Sequence, residues 1–136
     1  GAARAGTDLA HVLKVSSEEL LELAAAADEA TALERVLGTG VTHLVAITRG
    51  PDGATLATAG QRVDVPGEAV AVVDTTGAGD AFTAGLLTGL LERGLGPADL
   101  AALAETDLTA LGRWANRIAA VSTTRAGATA GLTRPD

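Results

Sequence analysis

Short unbroken apolar runs alternate along this chain with stretches in which apolar residues recur every three or four positions. Residues 9–15 (LAHVLKV) and 41–48 (VTHLVAIT) are of the first kind, the pattern of strands covered on both faces of a parallel sheet. Between them, Ser16, Ser17, Glu18 and Glu19 open a helix reaching residue 27, with Leu20, Leu21 and Leu23 on its apolar face. A second helix is predicted over 30–37, ended by Gly38 and Gly40. Gly50-Pro51-Asp52-Gly53 reads as a tight turn, followed by strands over 54–58, 62–65 and 69–73. From Gly77 the period becomes helical through Arg93, and Gly94, Leu95, Gly96 and Pro97 interrupt it. Helices over 98–104 and 106–121 and a loop of small residues over 123–131 complete the pattern. Strands alternating with helices predict an α/β fold with a partly parallel sheet.

Composition narrows the possible functions. The length, 136 residues, fits one domain, and the apolar fraction of 47% supports a core built from Ala, Leu and Val, since Phe82 and Trp114 are the only aromatics. The net charge is −7, and the ten basic residues, nine of them arginine, are scattered. That argues against a nucleic-acid surface, which needs clustered cations and stacking rings. No apolar run approaches the length of a membrane span, and the first residues lack the pattern of a signal peptide. With no cysteine, disulfides and thiolate metal sites are excluded, which suits the cytoplasm. His11 and His43 lie apart in apolar runs without ligand spacing, so packing roles are expected for both. The absence of any methionine, position 1 included, suggests a processed or partial product.

The chemistry concentrates in DTTGAGDAF, residues 74–82. A predicted strand runs through this segment into a helix, the place where ligands gather in such sheets. Gly77 and Gly79 let a ligand approach the main chain closely, and the amides of a helix start form an anion pocket. Asp80 in the first helical turn would repel a merely cradled phosphate. A carboxylate there makes sense if it takes a proton while the amides hold developing negative charge, although it also simply complements the helix dipole. No G-x-x-x-x-G-K-[ST] loop is present, and the single lysine, Lys14, is remote in sequence; G-x-G-x-x-G is absent too.

The longer segment DTTGAGDAFTAGLL resembles the C-terminal signature of the ribokinase/PfkB-type carbohydrate kinases. LKVSSEEL is similar to the family's K-x-S/N-x-x-E segment, TRGPDGA to its T-x-G-x-x-G turn, and ANRIAAVSTTRAGA to its nucleotide-site tail, which leans toward the fructokinase-like branch. The resemblance covers essentially the whole chain. It implies the C-terminal, nucleotide-binding part of a three-layer ribokinase-like fold, an α/β sheet with flanking helices.

By that resemblance Asp80 is the base that deprotonates a sugar hydroxyl for attack on the γ-phosphate of ATP, and the amides of Gly77, Ala78 and Gly79 form the anion hole. Asp74 and Thr76 match the pair that helps hold a monovalent cation such as K+, with carbonyls near Gly127, and Asp74 could equally cap the turn. Glu19 matches an acid acting near Mg2+, and Ser16 with Glu19 also makes a capping box. Thr48, Gly50 and Gly53 match the nucleotide-side turn, with Arg49 and Pro51 at variable positions; a plain hairpin turn is the alternative. Asn116 matches a polar residue beside the adenine, or else serves a helix contact.

Family members are about twice as long, and nothing here corresponds to their N-terminal sugar-binding and lid half. Residues 1–136 are therefore expected to be the nucleotide-binding and catalytic part of a sugar kinase, inactive alone and homodimeric at full length. A nucleoside or other small-alcohol kinase of the same fold, and a non-catalytic nucleotide-binding module, are the alternatives. Sugar and ATP are the expected partners, without nucleic acid or membrane.

Overall fold

The computed structural model describes residues 11–67 and 78–123. Among these, β1 (Val12–Ser16), β2 (Leu44–Thr48), β3 (Ala54–Ala57) and β4 (Arg62–Val65) form one sheet in that order. β1 and β2 run parallel, whereas β2–β3 and β3–β4 are antiparallel. Two helices, α1 (Ser17–Ala24) and α2 (Glu29–Leu37), connect β1 to β2. After β4 come α3 (Ala78–Glu92), the single turn α4 (Pro97–Leu100) and α5 (Glu105–Thr123).

β1 passes into α1 without a loop because Ser16 serves both. Its backbone is extended, its hydroxyl accepts from the Glu19 amide at 3.2 Å, and its own amide donates to Glu19 Oε1 at 2.8 Å. This reciprocal pair satisfies two of the donors a helix start leaves open. The helix ends at Ala24, short of the predicted 27, because Ala25 takes a left-handed conformation with φ 50°. Asp28 caps α2 by accepting from the Thr31 amide at 2.8 Å.

β2 begins at Leu44, not at 41, since the amides of His43 and Leu44 both turn to the His11 carbonyl, at 2.8 and 3.1 Å. There the rings of His11 and His43 stack with centroids 5.2 Å apart, so the two histidines, distant in sequence, are neighbours in space. The predicted helix over 98–104 is also corrected. It is one turn, because Leu100 and Leu103 are both drawn into the core and the Ala104 amide then meets Asp107 Oδ2 at 3.3 Å, starting α5 afresh. The predicted strand over 69–73 and the loop over 123–131 lie outside the described residues, apart from the last residue of α5.

Alternation along the strands sends side chains to two separate cores. Leu13, Val15, Val45 and Ile47 meet Leu20, Ala32, Leu33 and Val36 of α1 and α2. Leu44, Ala46, Leu56, Val63 and Val65 meet Phe82, Leu86, Leu108, Leu111 and Ala115 of α3 and α5. The three-layer α/β architecture expected from the sequence is thus present. Each fully buried leucine contributes about 1.5–3 kcal/mol to holding the layers together. α3 and α5 approach closely through glycine: a β-carbon on Gly85 would lie 3.1 Å from Ile118, and one on Gly89 3.0 Å from Leu111. Among the described residues no helix is long and apolar enough to cross a membrane.

Candidate active site

The carboxyl ends of the parallel pair β1 and β2 lie side by side, with Ser16 opposite Thr48 in register. In open α/β sheets this edge is where ligands bind. Thr48 reaches back across it, its hydroxyl donating to the Val15 carbonyl at 3.4 Å. Glu19 is held at the same edge by its bond to the Ser16 amide, which is the first cause lowering its pKa below the usual carboxylate value; the Ser16 hydroxyl and Lys14 act in the same direction.

α3 brings its own first turn to the Lys14 side chain of β1. Gly79 and Asp80 are both exposed, and the Asp80 carboxylate has no hydrogen bond or ion pair among the described residues. Its position in the first turn of a 15-residue helix sets it beside unpaired amides and the positive end of the dipole. Gly79 has a neighbour the sequence reading placed far away. A β-carbon built on it would lie 3.1 Å from Lys14 Nζ, so β1 delivers the chain's only lysine to the glycine turn. The clue in the sequence was a charged residue at an inward position of an apolar run.

The turn after β2 is built differently. Gly50 and Gly53 have φ 57° and 105°, and the Arg49 amide donates to the Gly53 carbonyl at 2.9 Å. Gly53 admits no side chain, because a β-carbon would sit 2.0 Å from the Val65 carbonyl oxygen. A β-carbon on Gly67 would likewise sit 2.0 Å from the Pro51 carbonyl oxygen, so the turn lies tightly against the chain leaving β4. Asn116, buried on α5, donates to the carbonyls of Val65 and Pro66 at 3.4 and 3.0 Å. The turn and Asn116 thus meet at one junction, with the Asn116 amide nitrogen spent on backbone carbonyls.

Charged side chains fix this turn from the other face of the sheet. Arg49 donates to both carboxylate oxygens of Glu29 at 2.8 and 2.7 Å and to Thr55 Oγ1 at 2.9 Å. Ser17 and Arg62 also donate to Glu29, at 2.6 and 3.1 Å, and Thr55 donates to Asp64, its register partner, at 2.6 Å. The bonds from Arg49, followed by that from Ser17, lower the Glu29 pKa to about 2, while Glu29 raises that of Arg49. A bidentate pair of this kind is well suited to positioning because its geometry is directional. No pattern in the chain signals it, since Arg49 occupies a variable position of the turn.

Of the residues singled out in the sequence, Gly77, Asp74, Thr76 and Gly127 lie outside the described residues. Ala78 starts α3. Glu19, Thr48, Gly79 and Asp80 gather around β1, β2 and the α3 start, while Gly50, Gly53 and Asn116 gather at the β4 exit. Among the described residues no three acids or histidines cluster to hold a metal. One carboxylate such as Glu19 is compatible with Mg2+, which takes much of its coordination from substrate phosphates and water.

The family described as pfkB family carbohydrate kinase matches residues 2–135. A fructokinase of Klebsiella pneumoniae is 40% identical over 128 residues, covering 94% of this chain and 40% of that protein. An aminoimidazole riboside kinase of Salmonella typhimurium is 41% identical over 130 residues, covering 94% of this chain and 38% of that one. The crystal structure of a fructokinase from Vibrio cholerae O395, bound to fructose, ADP and calcium ion, superposes with a TM-score of 0.76 at 36% identity, covering 95% of this chain and 39% of that one. The chain therefore spans about two fifths of the length of these proteins.

Proposed function

The chain belongs to the pfkB family of carbohydrate kinases, and from that premise we propose that it carries the nucleotide-binding and proton-abstracting part of an ATP-dependent sugar kinase. The observation that carries this reading is the α3 start, where Asp80, without an ion pair among the described residues, follows Gly79 against the Lys14 side chain of β1. Asp80 accepts the proton of a sugar hydroxyl, whose oxygen attacks the γ-phosphorus of ATP. The amides of Gly77, Ala78 and Gly79 hold the phosphoryl oxygens as charge develops, and positioning of this kind dominates phosphoryl transfer. Thr48, Gly50, Gly53 and Asn116 shape the nucleotide side. Glu19 stands toward Mg2+, whose role when bound is to screen the phosphate charge. Asp74, Thr76 and the chain near Gly127 hold a monovalent cation. The sugar contacts and lid belong to the part of the relatives that this chain does not match, and a homodimeric, cytoplasmic full-length protein completes the reading on resemblance alone.

Replacing Asp80 by Asn in the full-length protein tests the proposal. Loss of a general base lowers kcat by about 10²- to 10⁴-fold, with ATP affinity kept; turnover near wild type would overturn the assignment. A nucleoside acceptor is the second reading, favoured by the near-equal identities to a fructokinase and an aminoimidazole riboside kinase, 40% and 41%. Initial rates with fructose, ribose and aminoimidazole riboside separate the two. A module that only binds nucleotide is disfavoured, because binding has no use for a carboxylate that repels phosphate.

A further inference from the structure

The arginines that lie scattered along the sequence gather in the fold. Arg93, just past the end of α3, lines one cleft of about 700 Å3 together with Arg113 and Arg117 of α5. Three of the nine arginines in a chain of net charge −7 thus meet at one place, and Glu92 is the only carboxylate among the described residues around them. Arg113 and Arg117 are four residues apart on α5 and so project from the same side, where like charges repel. Arg113 forms no ion pair among the described residues, and Arg93 meets Asp107 only at 3.5 Å between exposed groups, a pair of little strength. Trp114, the only tryptophan, lines the same cleft, and its Nε1 is buried without a hydrogen-bond partner. Buried N–H groups are seldom left so, because an unmet donor is costly. Gly89 of α3 also lines the cleft, and the place of a β-carbon there lies 3.2 Å from Trp114 Cδ1 and 3.9 Å from Nε1. Glycine therefore keeps open beside the indole the room that a side chain would fill.

We propose that this cleft is a second ligand site, one that takes a small phosphorylated metabolite. Guanidinium groups meet phosphate oxygens through pairs of parallel bonds, and a bound dianion removes the repulsion between Arg113 and Arg117. The indole gives the uncharged body of the ligand a flat apolar wall, and its N–H meets an acceptor entering over Gly89. The volume falls within the roughly 300–1,000 Å3 of small-molecule sites, more than a lone ion needs. The cleft is separate from the place of phosphoryl transfer. Glu92 and Asp80 lie twelve residues apart on α3, roughly 18 Å at about 1.5 Å per residue. On α5 the two functions take different sides, since Asn116 turns to the carbonyls of Val65 and Pro66 while Arg113, Trp114 and Arg117 line the cleft. The site stands on these residues alone and does not depend on the kinase reading.

The experiment uses the full-length protein saturated with the non-hydrolysable analogue AMP-PNP and Mg2+, so that the nucleotide's own phosphate contacts are filled. Glucose 6-phosphate and inorganic phosphate are then titrated by calorimetry into wild type, Arg113→Gln, Trp114→Phe and Asp80→Asn. Wild type is expected to bind one glucose 6-phosphate per chain, and inorganic phosphate more weakly because it leaves the indole wall unused. Arg113→Gln should weaken glucose 6-phosphate by about tenfold or more, the scale of one charge-assisted bond. Trp114→Phe, which keeps a ring and loses the N–H, should weaken it by about threefold, and Asp80→Asn should leave it within about twofold. Arg113 is exposed, so its variant is expected to keep the wild-type Tm; if it does not fold, Trp114→Phe decides. No binding of glucose 6-phosphate to wild type would overturn the proposal, as would binding that Arg113→Gln and Trp114→Phe leave unchanged. Binding lost in Asp80→Asn would place the sugar phosphate in the transfer site and overturn it too. The turnover of Asp80→Asn, measured separately, bears on the kinase reading and leaves the cleft untouched.

Discussion

The two faces of the sheet treat charge in opposite ways. Toward α1 and α2, Glu29, Arg49, Arg62 and Asp64 are joined through Thr55 and Ser17 into a continuous network. Toward α3 and α5, Lys14 and Asp80 stand close to one helix start with no ion pair among the described residues. Paired groups fix geometry, because each bond they could make is already made. Groups without such bonds remain free to act on a ligand. The networked face therefore reads as the support of the nucleotide-side turn and the open face as the seat of the chemistry.

The largest expected effect removes the chemistry altogether. The 136-residue chain alone should show no sugar-dependent ADP release, since among the described residues no group on the open face is placed to orient an acceptor toward Asp80. Orientation accounts for roughly 7–11 kcal/mol of such barriers. Turnover near about 1 s⁻¹, within the ordinary enzyme range, would show that the open face is a complete site. Asp80→Asn in the full-length protein follows, at about 10²- to 10⁴-fold in kcat, with little change in Tm because the carboxylate supports no described contact.

A substitution on the turn should reverse that pattern. Gly53→Ala places a methyl group 2.0 Å from the Val65 carbonyl oxygen at a φ of 105°, so the turn must move away from the β4 exit. Such a clash with backbone strain costs about 3–5 kcal/mol, read as a lower Tm with a raised KM for ATP. If Gly53→Ala left both unchanged, the junction of turn, Gly67 and Asn116 would not be the rigid element inferred from it.

Much of this division was legible in the sequence, but unevenly. The continuous apolar run of β2 and the helical period after Gly77 carried the layer order, because burial on both faces or on one leaves a periodic trace. The glycines of TRGPDG marked a turn for a local reason, the positive φ of Gly50 and Gly53. Strand and helix ends were less visible, since Ala25 and the restart at Glu105 depend on caps and on Leu103 seeking the core. Pairings across the fold left no trace at all. Lys14 meets Gly79 only because β1 and the α3 start share an edge, and Glu29 meets Arg49 only because α2 crosses the face beneath the turn.

The smallest effect is the one that isolates the networked face. Glu29 has its pKa lowered to about 2 from 4.5, by its bonds from Arg49 and then Ser17, so its folded form prefers the carboxylate more strongly than its unfolded form does. Its contribution to stability is therefore complete above about pH 4.5, the unfolded value, and is lost progressively as the pH falls toward 2. The carboxylate side chain is 21% exposed and that of Arg49 30%, so screening reduces the benefit to about 1–3 kcal/mol. Glu29→Gln should lower the unfolding free energy by that amount at pH 7 and flatten the acid limb of the stability curve between about pH 4.5 and 2, where wild type and variant converge. Because Arg49 would then lose its charged bidentate partner, the nucleotide-side turn should loosen and raise KM for ATP, with kcat within about threefold of wild type, less than a tenfold or 1.4 kcal/mol change in barrier. A drop in kcat as large as that of Asp80→Asn would break the comparison, because it would place the networked face inside the chemistry and not beneath it.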